Sequence, residues 1–323
     1  MEEVNGLKIF TGNSNPKLAA DIASEAGVPI GKAMVTRFSD GEIRVKVEES
    51  VRGQDVFIVQ SGCYPVNESV MELLVMLDTF RRASARRITA VIPYYGYSRQ
   101  DKKVKPREPV SAKLMANLIT CAGADRVLAM DLHSAQIKGF FDVPVDHLYA
   151  GPIIAEYLKT HVVVNNDTVV VSPDEGGVPR ARAFAEVLGT PIAIIVKRRP
   201  EPNRAEVMEI IGDVKGKVAV MIDDMIDTGG SVALGASTLM DRGAKEVYAC
   251  CVHPVLSGEA VNKLDESPIK KVIVTDTIPL APEKQIDKII QLSVARLLAD
   301  AIERIHAGMS VSSLFNDSWT GQY

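Results

Sequence analysis

The sequence predicts an α/β protein in which mostly parallel sheets are flanked by helices. Short apolar runs alternate with amphipathic helical segments along nearly the whole chain, which is the pattern of a doubly wound fold. The apolar runs are rich in Val and Ile and are often continuous, as expected of central strands buried on both faces. So many runs over 323 residues suit two sheets better than one, so we expect two domains.

The elements are predicted in chain order from these runs and from the helical periods between them. Strands are predicted at residues 7–12, 42–47, 55–61, 88–95, 126–133, 168–174, 191–199, 217–224, 246–254 and 271–279. Helices are predicted between them at residues 16–26, 68–85, 110–121, 178–188 and 231–242. We expect an N-terminal domain at residues 1–147 and a C-terminal domain at 148–323. A long helix predicted at 287–306 is expected to pack back on the first domain.

The composition excludes several classes of protein. The chain is 46% hydrophobic and 24% charged, so it can bury substantial cores. Its net charge of −4 gives no support for nonspecific nucleic-acid binding. The four cysteines form no C-x-x-C pair, which favours free thiols in a reducing compartment. With neither a signal peptide nor an apolar run of ~20 residues, we expect a cytoplasmic protein without a membrane partner.

The most informative segment is VMIDDMIDTGGS, from Val220 to Ser231. An apolar run meets the adjacent acids Asp223 and Asp224, and a glycine-rich loop then leads into a helical pattern. The loop consists of Asp227, Thr228, Gly229, Gly230 and Ser231. A helix N-terminus with free N–H groups attracts anions, and two carboxylates suit the vicinal hydroxyls of a sugar. The segment therefore predicts a sugar-phosphate site, most simply for ribose 5-phosphate. The alternative is a strand followed by a tight turn and a capped helix.

A second segment, residues 37–53, reaches a predicted strand through a loop. Taken alone, Ser39-Asp40-Gly41 is best explained as a β-turn followed by a solvated strand. Phe38 could stack on a base while Asp40 and Glu42 accept hydrogen bonds, but the composition does not require this.

The basic loop at residues 93–109 follows the aromatic end of a strand. Arg99, Lys102 and Lys103 could neutralise a triphosphate, or the loop could simply be a basic surface. Both interpretations stay open on the residues alone. The chain contains neither a P-loop nor a dinucleotide-binding fingerprint, so ATP would have to bind by another route.

Two further segments contain candidate catalytic groups. His133 ends a predicted strand, where a lone histidine is more often structural, but with Asp174 it could share a divalent metal with phosphate oxygens. The segment KRRPEPN places Lys197, Arg198 and Arg199 on an expected mobile loop. Such cations could stabilise charge on a transferring group, whereas the alternative is a solvated basic turn.

Six segments together carry a resemblance to a known family. FSDGE, YGYSRQDKK, DLHSAQIKGFFDVPVDHLYA, SPDEGG, KRRPEPN and DDMIDTGGS occur in the order seen in ribose-phosphate diphosphokinases, also called phosphoribosyl-pyrophosphate synthetases. From about Leu7 to Phe315 the chain resembles class I members. The resemblance implies two phosphoribosyltransferase-like domains and Mg²⁺ as cofactor. It also implies transfer of the diphosphoryl group of MgATP to the C1 hydroxyl of ribose 5-phosphate, for nucleotide biosynthesis.

The resemblance also implies a role for each matching residue. The expected ATP-binding residues are Phe38, Asp40, Gly41 and Glu42, from a neighbouring subunit, with Arg99, Gln100 and Asp101. The expected metal ligands are His133 and Asp174, and the expected catalytic residues are Lys197 and Arg199. The expected ribose-5-phosphate-binding residues are Arg199, Asp223, Asp224, Asp227, Thr228, Gly229, Gly230 and Ser231. Ser231 stands where the family often has threonine, and Glu175 adds a carboxylate that could alter metal preference.

The resemblance implies regulation as well. Class I members are homohexamers that share the ATP site between subunits, are activated by inorganic phosphate and are inhibited by ADP at an allosteric site. Ser310, Ser312 and Phe315 match one part of that site, and the segments Arg81–Ala85 and Arg99–Lys105 match others.

Three competing functions are weaker. A phosphoribosyltransferase would share the acid pair and loop but would lack the FSDGE and YSRQDKK segments. A non-catalytic regulatory homologue would be expected to carry damage near KRRPEPN, where Lys197 and Arg199 are present. An RNA-binding regulator would need a basic or aromatic platform, which this acidic chain does not offer.

Overall fold

The computed structural model describes residues 6–163, 167–198, 207–315 and 319, and it is an α/β structure of mostly parallel sheets flanked by helices. The predicted fold class is therefore confirmed. The strands are β1 (Leu7–Thr11), β2 (Ala33–Arg37), β3 (Ile43–Val47), β4 (Asp55–Val59), β5 (Arg87–Ile92), β6 (Arg126–Met130), β7 (Val145–Leu148), β8 (Thr168–Ser172), β9 (Ile192–Arg198), β10 (Val207–Ile211), β11 (Val218–Ile226), β12 (Glu246–Pro254), β13 (Ile269–Thr275) and β14 (Ile289–Leu292). The helices are α1 (Pro16–Glu25), α2 (Val66–Arg82), α3 (Ser111–Ala122), α4 (Gly151–His161), α5 (Val178–Leu188), α6 (Gly230–Asp241), α7 (Ala260–Glu266) and α8 (Ala295–His306).

The chain forms two compact units. The first unit consists of residues 1–148, 277–279 and 293–314, and the second consists of 149–276, 280–292 and 315–323. The sequence predicts a boundary between residues 147 and 148, and the first continuous stretch of the first unit ends at Leu148. The chain then returns to the first unit near its C-terminus, where α8 packs against α1.

The first unit is built on a parallel five-stranded sheet in the order β1-β4-β5-β6-β7. β4 is buried along its whole length, which explains its continuous apolar sequence. Phe10 of β1 and Phe80 of α2 pack within its core with ring centroids 4.4 Å apart. β2 and β3 form a separate antiparallel hairpin whose inner residues pack against the same core.

The second unit has a seven-stranded sheet in the order β10-β9-β8-β11-β12-β13-β14. In the described residues β9 and β10 pair antiparallel, whereas the other neighbouring strands are parallel. From β8 the chain passes through α5 to β9 on one side, and from β11 it passes through α6 to β12 on the other side. The winding direction therefore reverses between β8 and β11, and open sheets bind ligands at the carboxyl ends of the strands at such a reversal.

Several predicted elements need correction. The helix predicted at residues 287–306 is wrong over its first part, because Ile289–Leu292 form β14, which pairs with β13. The helix itself begins at Ala295. The strands β2, β7, β10 and β14 and the helices α4 and α7 were not predicted. Among the described residues, no helix has the length and apolar character needed to cross a membrane.

Candidate active site

The acid pair lies inside the central strand of the second unit rather than after it. β11 pairs with β8 only from Val218 to Met221, whereas its pairing with β12 continues to Ile226. Asp223 and Asp224 therefore lie where β11 has lost its β8 neighbour. This break opens the edge of the sheet at the reversal point, where a ligand can approach the two carboxylates.

Arg180 joins the two acids. It lies in the first turn of α5, and its Nη1 is 3.2 Å from Asp223 Oδ1 and 3.5 Å from Asp224 Oδ1. The Asp224 backbone N–H also donates to Asp223 Oδ1 at 2.8 Å. Burial and the neighbouring Asp224 carboxylate raise the pKa of Asp223 to about 8, although the Arg180 guanidinium opposes this shift.

Arg180 was missed by the sequence analysis. A signal existed, because the helix predicted at residues 178–188 directly follows SPDEGG, the segment in which the strand predicted at 168–174 ends. An arginine in its first turn lies close to the carboxyl end of that strand, but its direction depends on how the helix packs. Only the structure shows that this arginine is buried against the acid pair.

The glycine-rich loop has the shape of an anion site. α6 begins at Gly230, and the helix contains no acidic residue in its first turn. Ser257 N–H donates to Asp227 O at 2.9 Å and ties the loop to the segment after β12. Thr228 and Ser231 are exposed and lie at the start of α6, where the positive end of a helix dipole attracts anions.

The backbone conformation and the neighbouring atoms at position 229 favour glycine. Its φ is +71°, in the left-handed region, and a Cβ built on it would lie 3.0 Å from the Ala260 carbonyl oxygen. By contrast, a Cβ on Gly230 would meet no atom within 4 Å. The loop can therefore approach α7 closely only with glycine at the first of the two positions.

Asp174 follows β8, the neighbour of β11. Its Oδ1 accepts a hydrogen bond from Gly177 N–H at 2.8 Å, and its carbonyl accepts one from Ser172 Oγ at 2.7 Å. These bonds fix the loop that leads into α5, while Asp174 and Glu175 remain exposed. The loop therefore presents carboxylates at the same reversal point as the acid pair.

The oxygen donors suit a magnesium ion that arrives with a nucleotide. The described residues contain no group of three or more His, Cys, Asp or Glu side chains placed to hold a metal. Mg²⁺ typically takes only one or two protein carboxylates and completes its shell with water and phosphate oxygens, so an exposed Asp174 fits this ion. His133 belongs to the first unit and Asp174 to the second.

In the first unit, the structure connects the loop carrying Arg99, Gln100 and Asp101 to the segment after His133. Gln136 Nε2 donates to Asp101 Oδ2 at 2.7 Å, and the Ser111 hydroxyl donates to Gln100 Oε1. Both loops follow neighbouring strands, β5 and β6, at their carboxyl ends. The basic loop is thus anchored to the fold, although Arg99 itself is exposed.

A histidine that was not predicted supports the loop of His133. His147 of β7 accepts a hydrogen bond at Nε2 from Leu132 N–H, with a distance of 2.9 Å. The preceding residue, Asp131, has a φ of +38°. The backbone turns sharply before His133 and is held there by the neighbouring strand.

The Phe38–Glu42 segment is the tip of the β2–β3 hairpin. Gly41 N–H donates to Phe38 O at 3.0 Å, which forms the β-turn that the residues predicted. Phe38, Asp40, Gly41 and Glu42 are all exposed, and Arg44 lies over the Phe38 ring at 5.5 Å. The hydrogen bonds at the tip are local, so the exposed residues can contact a ligand or another chain.

Of the expected catalytic cations, the structure describes the backbone of Lys197, near the end of an antiparallel strand pair. Lys197 belongs to β9, where its backbone pairs with Met208 of β10. The expectation that Lys197 and Arg198 lie on a loop is therefore wrong, because pairing with β10 extends the strand through both residues. Arg199 lies outside the described residues.

The expected allosteric residues divide between the units. In the first unit, Ser310 and Ser312 are exposed, their hydroxyls lie 2.8 Å apart, and Arg304 Nη1 donates to Ser310 O at 3.2 Å. Phe315 belongs to the second unit, where its ring packs edge-on against Tyr149 with centroids 5.5 Å apart.

Known proteins similar to this chain carry a common name. Residues 7–123 match the sequence profile of the N-terminal domain of ribose phosphate pyrophosphokinase, and residues 197–316 match that of the phosphoribosyl synthetase-associated domain. The ribose-phosphate pyrophosphokinase of Caldanaerobacter subterraneus subsp. tengcongensis is 61% identical over 311 residues, which cover 96% of this chain and 98% of that protein. The enzyme of that name from Bacillus subtilis is 57% identical over 310 residues, covering 96% and 97%. The crystal structure of phosphoribosylpyrophosphate synthetase from Mycobacterium smegmatis matches with a TM-score of 0.90 at 44% identity, covering 94% of this chain and 100% of that one.

Proposed function

Because the chain belongs to the ribose-phosphate pyrophosphokinase family, we propose that it transfers the diphosphoryl group of MgATP to the C1 hydroxyl of ribose 5-phosphate. The products are AMP and 5-phosphoribosyl 1-diphosphate, a precursor for nucleotide biosynthesis. The observation that carries this proposal is the acid pair followed by an anion-binding helix N-terminus at the reversal point of the second sheet.

The ribose 5-phosphate binds along β11 and the loop that follows it. Asp223 and Asp224 accept hydrogen bonds from the vicinal hydroxyls of the sugar. The 5-phosphate is bound by the first N–H groups of α6 and by the hydroxyls of Thr228 and Ser231, with Asp227, Gly229 and Gly230 completing the loop. The exposed position of these hydroxyls supports this assignment.

The nucleotide binds to groups of the first unit. Phe38 stacks on the adenine, and Asp40, Gly41 and Glu42 surround it from a neighbouring subunit. Arg99, Gln100 and Asp101 complete the site on the basic loop. The exposed hairpin tip is well suited to serve another chain, and the hydrogen bonds from Gln136 and Ser111 keep the basic loop in position.

His133 and Asp174 would hold the Mg²⁺, directly or through water. When bound, the ion supplies positive charge that neutralises the phosphate oxygens of the nucleotide. Asp174 is fixed in its loop by the Gly177 N–H, and the His133 loop is held by His147. These hydrogen bonds hold each of the two loops within its own unit.

The reaction is a single displacement. The C1 oxygen forms a bond to the β-phosphorus, the bond from that phosphorus to the oxygen bridging the α-phosphorus breaks, and AMP leaves with that oxygen. The proton of the C1 hydroxyl passes to solvent. Lys197 and Arg199 stabilise the charge that develops on the transferring group, so positioning and electrostatics provide most of the rate enhancement.

Assembly and regulation follow the class I pattern in this proposal. The enzyme is a homohexamer with shared ATP sites, it is activated by inorganic phosphate, and ADP inhibits it at a site that includes Ser310, Ser312 and Phe315. The Arg304 hydrogen bonds that order the serine segment support such a site. Both substrates are cytoplasmic metabolites, so we expect the enzyme to act there.

The test is product analysis by ³¹P NMR. Purified protein is mixed with ribose 5-phosphate, ATP, Mg²⁺ and inorganic phosphate, and the phosphorus signals are followed with time. AMP and a new C1 diphosphate in equal amounts are expected. ADP as the nucleotide product would mean an ordinary kinase, and a folded, metal-replete protein without turnover would favour a non-catalytic homologue.

A further inference from the structure

We propose that Arg180 is a positioning residue that holds Asp223 and Asp224 together as acceptors for the ribose hydroxyls. This inference rests on the proposed function, because it deepens the account of the ribose-binding site. It assigns to a residue of α5 a role that the local sequence pattern around the acids does not indicate.

The first support is geometric. Consecutive residues of a regular strand direct their side chains to opposite faces of the sheet. Here one nitrogen, Arg180 Nη1, lies 3.2 Å from Asp223 Oδ1 and 3.5 Å from Asp224 Oδ1. The two carboxylates therefore converge, and they do so where β11 has no β8 neighbour to keep it regular.

The second support is the burial of the charges. Arg180 is 9% exposed and Asp224 is 4% exposed. Charges removed from water are tolerated when they are paired, and removal of one partner leaves the others uncompensated. Two ionised carboxylates and one guanidinium would carry a net charge of −1, so Arg180 offsets part of the repulsion between the two acids.

Ionisation matters for a sugar ligand. An ionised carboxylate only accepts hydrogen bonds, whereas a protonated one also donates. The vicinal hydroxyls donate to the acid pair, so protonation of one acid weakens the match. The raised pKa of Asp223 indicates how easily this pair takes up a proton despite Arg180.

The charged and titratable neighbours of Asp223 come from three elements. Arg180 faces it from α5, Asp224 is its neighbour on β11, and Cys251 is its register partner on β12. Burial raises the pKa of Cys251 well above its ordinary value, so this thiol stays neutral. Of these groups, Arg180 supplies the positive charge that opposes proton uptake by Asp223.

The packing of α5 does not require the Arg180 charge. The helix is anchored by buried apolar residues such as Ala181, Ala183 and Phe184, and the Phe184 ring packs edge-on against Trp319 at 5.0 Å. Substitution of Arg180 should therefore affect the acid pair more than the helix, which makes the role testable.

The experiment compares Arg180→Gln and Arg180→Lys with the control Arg182→Gln, an exposed arginine on the same helix. KM for ribose 5-phosphate, KM for ATP and kcat are measured for each. Arg180→Gln should raise KM for ribose 5-phosphate on the order of 10-fold to 100-fold, as for loss of a charged hydrogen-bonding partner. KM for ATP should change by less than about 2-fold, and the control should match the unmodified protein.

Two further readouts separate positioning from a general structural defect. The pH profile of kcat/KM for ribose 5-phosphate should move to higher pH in Arg180→Gln, because the acid pair then holds its proton more tightly. Arg180→Lys keeps the charge but lacks the planar guanidinium. Its KM for ribose 5-phosphate should therefore lie between the values of the unmodified protein and of Arg180→Gln. Circular dichroism and thermal unfolding establish that each variant is folded.

The outcomes are distinguishable. An unchanged KM for ribose 5-phosphate in a folded Arg180→Gln variant, or equal increases in both KM values, would overturn the inference. If Arg180→Gln does not fold, the Arg180→Lys variant tests the inference instead. A wild-type KM for ribose 5-phosphate in Arg180→Lys would contradict bridging by the guanidinium. Inactivity of the unmodified protein would instead contradict the proposed function.

Discussion

Gly229 illustrates how single residues shape the candidate site. Its left-handed φ and the 3.0 Å separation between a built Cβ and the Ala260 carbonyl oxygen leave no room for a side chain. The neighbouring Gly230 has open space around its Cβ position. The structure therefore gives a steric and conformational reason for glycine at position 229 but none at position 230.

Gly229→Ala should destabilise the second unit. A left-handed conformation costs an L-residue about 1–2 kcal/mol, and the contact with Ala260 adds strain. Denaturant unfolding of Gly229→Ala and Gly230→Ala measures the difference, with Gly230→Ala as the matched control for stability. Equal free energies of unfolding for the two variants would show that the backbone angle of Gly229 is not the constraint.

Asp223 should make stability depend on pH. Its pKa of about 8 exceeds the ordinary 3.8, so the folded protein binds more protons than the unfolded chain between these values. The stabilisation is complete below about pH 4 and is lost as the pH rises towards about 8. The Asp223→Asn variant has no carboxyl group at this position, so it does not lose stability in this way. The free energy of unfolding of the variant minus that of the wild type should therefore increase between about pH 5 and about pH 8. A difference that stays constant over this range would contradict the raised pKa.

Local chemistry determined which site residues the sequence could predict. Asp223, Asp224 and the loop from Asp227 to Ser231 are contiguous, so their strand, turn and helix signals predict the site without tertiary information. Arg180 is more than 40 positions away, and its role depends on β8 and β11 being neighbours and on the rotation of α5. Such information is not present in any local pattern.

At the scale of elements, the pairing of β9 with β10 defines the backbone around Lys197. Lys197 lies in β9 opposite Met208, so its backbone is paired rather than part of the expected loop. The backbone of a residue at the end of a paired strand has a more defined position than that of a residue in a solvated turn.

Lys197→Ala should lower kcat far more than it weakens ribose 5-phosphate binding. Loss of a group that stabilises developing charge costs about 10²–10³-fold in turnover. Steady-state kinetics and direct binding of ribose 5-phosphate test this, with the exposed Lys245→Ala as control. A Lys197→Ala variant with near-normal kcat would remove Lys197 from the mechanism.

A buried charged cluster fastens the C-terminal helix α8 within the first unit. Asp55 is fully buried at the start of β4, Arg87 Nε donates to its Oδ1 at 2.8 Å, and His306 Nδ1 lies 2.8 Å from its Oδ2. Arg87 Nη2 also donates to Ile305 O at 2.9 Å. The cluster thus links the first residues of β4 and β5 to the last turn of α8, which is distant from them in sequence.

Asp55→Asn should strongly destabilise the first unit. Removing one partner of a buried ion pair costs about 3–5 kcal/mol, because the remaining charges are uncompensated. The matched control is Asp78→Asn, which breaks the exposed Asp78–Arg82 pair on α2 and should have little effect. Denaturant unfolding with hydrogen exchange at α8 compares the two, and similar stabilities for both variants would contradict this role of Asp55.

Two of the strands that were not predicted have a clear physical reason. β7 and β14 contain only four residues each, and β14 lies at the sheet edge, so their apolar runs are too short to show a period. The sequence DKIIQLSVARLL runs from β14 into α8, and apolar residues are spread along its whole length. This distribution explains why one long helix was predicted. Longer buried strands such as β4 and β11 were recognised because their runs are continuous.

For the whole molecule, the sequence predicted two domains of one fold class but not the path of the chain between them. Residues 277–279 and 293–314 return to the first unit, so both units are discontinuous in sequence. Local periodicity carries no information on such a return, because it depends on contacts between distant segments. The resemblance from Leu7 to Phe315 was decisive for function, since six ordered segments are far more specific than any one of them.

The most direct test of the account follows the C1 oxygen through the reaction. Ribose 5-phosphate labelled with ¹⁸O at C1 is incubated briefly with the enzyme, ATP, Mg²⁺ and inorganic phosphate, and ³¹P NMR detects the isotope shift in the product. The account predicts equimolar AMP and a C1 diphosphate that retains the label between C1 and phosphorus, because the C1 oxygen attacks the β-phosphorus. A product without the label in that bond, or ADP in place of AMP, would contradict diphosphoryl transfer to the C1 hydroxyl.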